Sequence, residues 1–280
     1  MREVSVITGG AGGIGLATAK IVGRDHFVVI SDVRQDRLDA GMTELEHLDI
    51  ECKAVVCDIT DRNSVAELVE TASALGPVTS VVHTAGVSPS MGDAEFIMRI
   101  NAIGTVNVND GFYPIAGEGF AIVNVASMAA YMLPQIILPT GQFKYAFKDE
   151  DVFMRKMMSA CKVAPRKLRP GLAYTISKTF VVWYCASQAS KFGGRGARIV
   201  SVSPGSIDTE MGRLEEQSGS GAMLRYAALK RFGRPEEIAE VLAFCASKKP
   251  GYLTGVDILC DGGVGASMTL RDKLAVARNP

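Results

Sequence analysis

The fold is predicted from one stretch of sequence, Val4-Ser5-Val6-Ile7-Thr8-Gly9-Gly10-Ala11-Gly12-Gly13-Ile14-Gly15. Its first residues, Val4–Thr8, are mostly β-branched and predict a short buried strand, whereas residues 16–22 have a helical pattern. Glycines at such a strand–helix junction let the backbone turn tightly and approach a pyrophosphate at the helix N-terminus. The stretch therefore predicts a dinucleotide-binding loop, and the alternative is a glycine-rich turn that binds no ligand.

The glycines of this loop fit two spacings at once. Gly10, Gly12 and Gly15 fit G-x-G-x-x-G, and the spacing T-G-x-x-x-G-x-G is fitted by Gly9, Gly13 and Gly15. A glycine triplet alone is weak support, but here a strand, a loop, a helix, a second strand and a terminal acid occur together. Cofactor contacts in the loop are expected from Gly9, Gly12, Gly13, Ile14 and Gly15.

Strand and helix patterns alternate along much of the chain. Helices are predicted at residues 34–48 and 65–74. The further predicted strands are residues 27–31, 53–57, Val78–His83, 120–125, 198–202 and 256–259. Strands separated by helices imply right-handed βαβ units, so the sequence predicts an α/β fold with a parallel sheet. No repeat or linker interrupts the pattern, and residues 1–280 are expected to form one domain.

Two carboxylates at predicted strand ends are candidates for cofactor binding. Asp32 can accept hydrogen bonds from both ribose hydroxyls of NAD and would repel the additional phosphate of NADP. Asp58 can hydrogen-bond an adenine amine, or it can cap the next turn. Arg34 lies close enough to meet a phosphate, although a solvent-facing side chain is the simpler interpretation. NAD is the predicted cofactor, and the alternative for Asp32 is an ordinary strand-end residue.

A phenol and an ammonium lie four residues apart at Tyr174 and Lys178, which places them on one face of a helix. A nearby ammonium lowers the pKa of a phenol and prepares it for proton transfer. Ser127 follows the fifth predicted strand, where its hydroxyl could hold a substrate oxygen. Taken singly, the pair is common by chance and the serine is an ordinary loop residue.

Composition and charge argue against several classes of function. The chain has 30 basic and 30 acidic residues, a formal net charge of zero, which disfavours a general nucleic-acid binder. No apolar run approaches the ~18 residues that span a bilayer, and no apolar signal segment follows Met1. The six cysteines form no Cys-x-x-Cys pair and the three histidines are scattered, so no metal site is predicted. A cytoplasmic location is expected.

The chain resembles the short-chain dehydrogenases/reductases across nearly its whole length. The matching segments are the Thr8–Gly15 loop, Asp32, Asp58, Ala85-Gly86, Asn101-Ala102-Ile103-Gly104, Ser127, Tyr174 with Lys178, Ser203-Pro204-Gly205 and Thr254-Gly255. The resemblance implies a Rossmann-type, doubly wound sheet of seven parallel strands. It also implies NAD(P)-dependent alcohol/carbonyl chemistry on a small-molecule substrate.

The resemblance also implies roles for individual residues. Tyr174 would be the general acid/base, and Lys178 would lower its pKa and bind the nicotinamide ribose. Ser127 would orient the substrate oxygen, and Asn101 would hold a water that relays protons from Lys178 to solvent. The implied cofactor contacts outside the glycine loop are Asp32, Asp58, Ile59, Ala85, Gly86, Tyr174, Lys178, Pro204, Gly205, Ile207 and Thr209.

The sequence departs from the family pattern in two informative places. His83-Thr84-Ala85-Gly86 stands where the family has Asn-Asn-Ala-Gly, and a packed, hydrogen-bonded His83 is favoured over one that titrates or binds cofactor. Residues 131–170 are an insertion before Tyr174, comparable to one in hydroxysteroid dehydrogenase/carbonyl reductase members. Its first part is apolar and proline-rich, an amphipathic helix is predicted at residues 152–162, and its end is basic.

Both ends of the insertion lie next to predicted catalytic residues, so we expect a lid that favours a bulky apolar alcohol or ketone, alicyclic or steroid-like. The alternative is a packing or assembly element. The basic side chains could capture an anionic substrate, although a solvated face is the simpler interpretation; they are Arg155, Lys156, Lys162, Arg166, Lys167 and Arg169. The tail, residues 264–280, is either a frayed helix or a cover over a neighbouring subunit's site.

Three functions are compared on these residues. The favoured one is an NAD-dependent oxidoreductase acting on a secondary alcohol or ketone. An epimerase or dehydratase shares the Tyr-x-x-x-Lys pair, but the glycine spacing and modest length disfavour it. A non-catalytic NAD-binding sensor needs no proton relay. Residues 180–184 are apolar on more than one face of the predicted Tyr174 helix, so a homo-oligomer through this helix is expected unless the insertion covers it.

Overall fold

Seven parallel strands form the central sheet, in the order β3-β2-β1-β4-β5-β6-β7. The structure is a computed structural model that describes residues 2–217, 220–269 and 271–272. The strands are β1 (Val4–Thr8), β2 (Phe27–Asp32), β3 (Cys52–Val56), β4 (Val78–His83), β5 (Ala121–Val125), β6 (Arg198–Pro204) and β7 (Asp257–Cys260). Every predicted strand is present with its ends shifted by at most two residues, and the predicted doubly wound α/β fold is confirmed.

Helices cover both faces of this sheet. They are α1 (Gly13–Val22), α2 (Gln35–Glu46), α3 (Arg62–Leu75), α4 (Ala94–Met98), α5 (Gly104–Phe112), α6 (Glu150–Cys161), α7 (Arg169–Gly193), α8 (Glu210–Gln217), α9 (Pro235–Ala246) and α10 (Val264–Ser267). One apolar layer joins α1, α2 and α9 to the sheet, and α3, α5 and α7 form the other. Because both faces are covered, central strands such as β1 are buried along their whole length. Among the described helices, none has the length and apolar character needed to cross a membrane.

The position of the site follows from the strand order. β1 is an interior strand that pairs with β2 on one side and with the central strand, β4, on the other. The chain therefore leaves β1 and β4 in opposite directions, and a crevice opens at their carboxyl ends. The glycine loop follows β1, so this loop lies at the crevice.

The insertion, residues 131–170, consists of short elements. Its first half contains 3-10 segments at Gln135–Ile137 and Thr140–Phe147, of three and eight residues, and prolines stand before each of them. The predicted amphipathic helix is present as α6, and a short turn then leads into α7.

Aromatic side chains fix the middle of the insertion to α7. The ring of Phe143 lies 5.3 Å from that of Phe180 and 5.5 Å from that of Trp183. Phe147 stacks on Trp183 at 5.5 Å, and Phe153 lies 5.1 Å from Phe180. The insertion thus covers the apolar face of α7 that we expected to contact another subunit. The oligomer prediction allowed for this case, since it held only if the insertion left the helix uncovered. The stretch 180–184 of α7 is therefore largely buried within one subunit.

The predicted tail at residues 264–280 is described only in part. Within it, α10 places Val264 and Met268 in a small apolar cluster with Ala227, and Tyr226 packs against this cluster. Residues 270 and 273–280 lie outside the described residues, so the alternatives for the end of the tail stay predictions.

The aromatic contacts predict which part of the insertion stabilises the protein. Replacing Phe143, which is fully buried, with Ala should lower the free energy of unfolding by about 3–5 kcal/mol, because a large cavity forms between the insertion and α7. Urea denaturation followed by circular dichroism measures this change. Ile136→Ala is the matched control, since the Ile136 side chain is 93% exposed and its loss should have almost no effect. Equal effects of the two substitutions would contradict the proposed packing role.

Candidate active site

The loop between β1 and α1 requires glycine at four positions, one of which is Gly10, where a Cβ would lie 2.7 Å from the Ile7 carbonyl oxygen. Gly9 and Gly13 have φ angles of +64° and +52°, a region that side chains disfavour. A Cβ at Gly15 would lie 2.2 Å from the carbonyl oxygen of Gly9. Gly12 differs, because its backbone is extended and a Cβ would meet no described heavy atom within 4 Å. Of the two overlapping spacings, the structure therefore requires T-G-x-x-x-G-x-G.

The same loop fits a pyrophosphate. No side chain caps the N-terminus of α1 at Gly12. The first N–H groups of a helix have no acceptor within the helix, and the helix dipole favours negative charge there. Open space at Gly12 and uncapped amides from Gly13 to Gly15 are what an anionic pyrophosphate needs. These residues, with the partly buried Ile14, are among those for which the sequence predicted cofactor contacts.

Asp32 ends β2 and is partly buried. Its Oδ1 accepts a hydrogen bond of 3.1 Å from the backbone N–H of Arg34. The Arg34 guanidinium turns to Asp36 instead, with an Nε–Oδ1 distance of 3.0 Å and a second, shorter contact through Nη2. The Arg34 side chain is 56% exposed, in agreement with the solvent-facing interpretation.

In the loop after β3, the Asp58 carboxylate is already hydrogen-bonded within the loop. Oδ1 of Asp58 accepts hydrogen bonds of 2.8 Å from both the N–H and the hydroxyl of Thr60, so the capping alternative is realised. The Ile59 side chain is buried against Gly104 on α5. A contact between Ile59 and a cofactor would therefore have to come from its main chain.

The loop after β6 returns to the glycine loop. β6 ends at Pro204, and the backbone of Gly205 packs too closely on the turn after β7 for a side chain. Ile207 is buried. A Cβ built on Gly13 would lie 3.3 Å from Cγ2 of Thr209, so this loop borders the glycine loop directly. All four residues that the resemblance assigned to nicotinamide contact lie on this segment.

Lys178 and Tyr174 share a face of α7, as their spacing predicted. The Lys178 ammonium is buried, donates a hydrogen bond of 3.0 Å to the Val125 carbonyl oxygen, and lies 5.8 Å from the Tyr174 ring centroid. Burial lowers the pKa of Lys178 to about 8. The hydrogen bond to the end of β5 positions the cation beside the phenol, and a cation at such a position favours the ionised form of a phenol.

Asn101 lies in a π-helical turn, Arg99–Ile103, between α4 and α5. Its side chain accepts a hydrogen bond of 2.9 Å from the Val87 N–H and donates one of 3.0 Å to the Val87 carbonyl. A Cβ at Gly86 would lie 3.1 Å from Oδ1 of Asn101 and 3.5 Å from Nζ of Lys178. The amide and the ammonium therefore converge on Gly86, next to Ala85.

Ser127 follows β5 and caps the 3-10 turn Met128–Tyr131, with its Oγ accepting from the Ala129 N–H at 3.2 Å. This bond uses the hydroxyl as an acceptor, so its proton can be donated to a substrate oxygen. The turn packs against α7, which carries Tyr174. Ser127, Tyr174, Lys178 and Asn101 therefore belong to elements that meet at the carboxyl edge of β4 and β5.

His83 is fully buried at the end of β4, as the packed interpretation predicted. Its Nδ1 lies 2.7 Å from the Thr8 hydroxyl and its Nε2 lies 3.2 Å from the Thr105 hydroxyl. Thr105 donates its own proton to the Asn101 carbonyl at 2.8 Å, so it accepts from Nε2 and the ring carries its proton there. Burial, with a smaller contribution from Lys178, lowers the pKa of His83 to about 3, and the ring stays neutral.

Sequence reasoning missed the partners that connect these groups. Thr8 and Thr105 join the glycine loop, His83 and the turn of Asn101 into one buried chain of hydrogen bonds. The spacing of Asn101 and Thr105, four residues apart on a helix, was the available signal. Glu210, which pairs with Arg37 at 2.8 Å, gave none because its partner is distant in sequence.

The buried His83 predicts an acid-sensitive contribution to stability. The folded protein keeps the ring neutral, whereas the unfolded chain takes up a proton below the ordinary pKa of 6.5. The free energy of unfolding should therefore fall by up to about 1.4 kcal/mol per pH unit as the pH drops from 6.5 towards 4. Denaturation at a series of pH values measures the slope, and His83→Asn should reduce it. His47→Asn, at an exposed position, is the control. An unchanged slope in His83→Asn would contradict the assignment.

Comparison with known proteins places the chain in a family. Two family models match it, short chain dehydrogenase over residues 3–138 and enoyl-(acyl carrier protein) reductase over residues 156–265. Short-chain dehydrogenase/reductase bsc3 of Alternaria brassicicola is 30% identical over 273 residues, 96% of this chain and 98% of that protein. The 3-oxoacyl-(acyl-carrier-protein) reductase FabG of Thermotoga maritima is 30% identical over 274 residues, 94% of this chain and 97% of that protein.

The fold comparison agrees with the sequence comparison. A short-chain type dehydrogenase/reductase from Mycobacterium ulcerans superposes with a TM-score of 0.76 at 23% identity, covering 95% of this chain and 90% of that chain. The implied family resemblance is thereby confirmed. The chain belongs to the short-chain dehydrogenase/reductase family, and it is an oxidoreductase of the class that binds a nicotinamide cofactor and acts on small molecules.

Proposed function

We propose that this enzyme transfers a hydride between NAD and a secondary alcohol or the corresponding ketone, with Tyr174 as general acid/base. The observation that carries the proposal is the buried Lys178 ammonium, 5.8 Å from the Tyr174 ring centroid and bonded to the Val125 carbonyl. Burying a cation is costly unless it is paired and hydrogen-bonded. A protein that only binds a dinucleotide could use such a cation to hold the nicotinamide ribose, but it requires no phenol beside it.

The residues divide the proton chemistry among them. In alcohol oxidation, the Tyr174 phenolate accepts the hydroxyl proton of the substrate, and the Lys178 ammonium stabilises the phenolate before that transfer. Ser127 donates a hydrogen bond to the same substrate oxygen and orients it. The turn of Asn101 holds a water that leads the proton from Lys178 to solvent. The bound nicotinamide supplies the two-electron acceptor or donor.

The proposed preference for NAD rests on Asp32. Its carboxylate at the end of β2 suits the two ribose hydroxyls of NAD and opposes a 2′-phosphate. The proposed cofactor contacts remain the glycine loop, the ends of β3 and β4, Tyr174 with Lys178, and the segment after β6. A homo-oligomer in the cytoplasm is part of the same proposal, with contacts outside residues 180–184 of α7, which the insertion covers.

The proposed substrate is bulky and apolar. Met128 and Met132, which follow Ser127, pack on the apolar cluster that includes Ala227 and Met268. This cluster gives the segment next to Ser127 an apolar wall. At the adjoining turn, Ile136 and Ile137 expose 93% and 62% of their area, a large apolar surface that a ligand would cover. Because the rest of the insertion packs on α7, we limit the proposed lid to residues 132–138.

Removal of one hydroxyl tests the chemistry. Tyr174→Phe keeps the ring but has no transferable proton, so kcat for alcohol oxidation should fall by about a thousandfold or more. Cofactor affinity should fall by at most about tenfold, because no more than one hydrogen bond is lost. Reduced nicotinamide absorbance across a panel of alcohols, run with NAD and NADP in parallel, measures turnover, and calorimetry measures binding.

Tyr145→Phe is the matched control, because this tyrosine packs beside Lys156 in the insertion. Its kcat should equal that of the unmodified protein. Near-normal turnover in Tyr174→Phe would overturn the proposed acid/base. Cofactor binding without turnover of any alcohol or ketone by the unmodified protein would favour the sensor.

Two exposed isoleucines test the lid. The double variant Ile136→Ser, Ile137→Ser should raise KM for a bulky ketone by about thirtyfold, because each of the two apolar side chains that the ligand buries contributes about 1 kcal/mol. KM for a small ketone and cofactor affinity should stay within about twofold, and kinetics with both ketones measure this. Point substitutions are preferable to removal of residues 134–168, which would also delete Phe143 and Phe153. An equal change for small and bulky substrates would contradict the lid.

A further inference from the structure

Five charged side chains surround the end of β2. They are Asp32, Arg34, Asp36, Arg37 and Glu210. Arg34 is engaged by Asp36 through two nitrogens, as described above. Nη2 of Arg37 lies 2.8 Å from Oε2 of Glu210. The group thus contains two cations and three anions, and each guanidinium is matched to a carboxylate.

These pairs lie beside the glycine loop. A Cβ at Gly41 of α2 would be 3.3 Å from Cα of Ala11, so α2 packs directly on the loop. On the other side, Thr209 contacts the loop at Gly13, and Glu210 is the next residue. The pair between Arg37 and Glu210 therefore bridges α2 and α8 across the edge of the proposed dinucleotide site, next to Asp32.

We propose that Asp36 and Glu210 determine cofactor specificity by engaging the Arg34 and Arg37 guanidinium groups, so that neither arginine is available to a 2′-phosphate. The inference rests on the proposed preference for NAD. Cofactor specificity is then determined by three carboxylates and not by Asp32 alone, and these carboxylates act in two different ways. Asp32 repels the phosphate directly, whereas Asp36 and Glu210 occupy the cations that would attract it.

The chemistry of arginine supports this division. A guanidinium binds carboxylate and phosphate with the same planar pair of donors, so the two anions compete for one fork. Arg34, which directly precedes α2, and Arg37 on α2 are the cations nearest in sequence to Asp32, and both would otherwise be suited to a phosphate. The four side chains of these two ion pairs are 41–76% exposed. When a carboxylate is removed, its guanidinium can therefore turn towards a phosphate.

Direct binding measurements test the inference without turnover. Isothermal titration calorimetry gives Kd for NAD and for NADP on the unmodified protein, Asp36→Asn and Glu210→Gln. Each substitution should tighten NADP binding by about tenfold, the effect of one charge-assisted hydrogen bond. Binding of NAD should change less than about twofold. Asp39→Asn is the matched control, since it removes the same charge from α2 at a side chain that pairs with Gln35.

A second set of variants tests whether the gain in NADP affinity depends on the two arginines. Arg34→Ala combined with Asp36→Asn should abolish the gain in NADP affinity, and so should Arg37→Ala combined with Glu210→Gln. A gain that survives loss of the arginine, or one that equals the gain in Asp39→Asn, would overturn the inference. The proposed NAD preference fails separately, if the unmodified protein binds NADP more tightly than NAD.

Discussion

The site depends on how closely the backbone after β1 approaches the backbone after β4. A Cβ at Gly9 would lie 2.8 Å from the Ala85 nitrogen, a distance that no side chain tolerates. Thr84 donates both its N–H, at 3.1 Å, and its hydroxyl, at 2.7 Å, to the Thr8 carbonyl. Glycine at this position lets the loop for the dinucleotide touch the turn that leads to Gly86. Lys178 and Asn101 converge on Gly86, so the position of the cofactor loop is fixed relative to the catalytic helix α7.

Buried polar side chains fix the position of the cofactor loop relative to the catalytic helix, and their burial costs stability. The fall in the pKa of Lys178 from 10.5 to about 8 corresponds to about 3 kcal/mol of unfavourable burial of the charged form. His83 avoids a similar cost by staying neutral, with a hydroxyl on each ring nitrogen. An apolar group in either place would avoid the cost of burying a polar group, but it would leave buried hydrogen-bond partners without His83 or Lys178, and it would not support a phenolate. The two residues show the common opposition between stability and a preorganised site.

The sequence predicted local features well and long-range contacts poorly. Strands and the α/β fold follow from β-branched runs and helical periodicity, which are properties of neighbouring residues. The face shared by Tyr174 and Lys178 follows from helix geometry. In contrast, Thr8, His83 and Thr105 meet only because β1 and β4 pair in the folded sheet. The pairing of Arg37 with Glu210 likewise joins residues far apart in sequence, and no local pattern encodes it. Asp58 shows an intermediate case, where capping of the turn was foreseen as an alternative.

The insertion shows why the length of an added segment is a poor measure of its function. Both of its ends lie beside Ser127 and Tyr174, so the sequence alone made the whole segment a candidate lid. Phe143 and Phe153 instead pack on Phe180 of α7, and a segment whose aromatic side chains are fully buried cannot open and close without exposing them. The proposed lid is therefore limited to residues 132–138, which contain no aromatic side chain. The same anchors cover the outer face of α7 from within one subunit, so the insertion changes both the mouth of the site and the surfaces left for assembly.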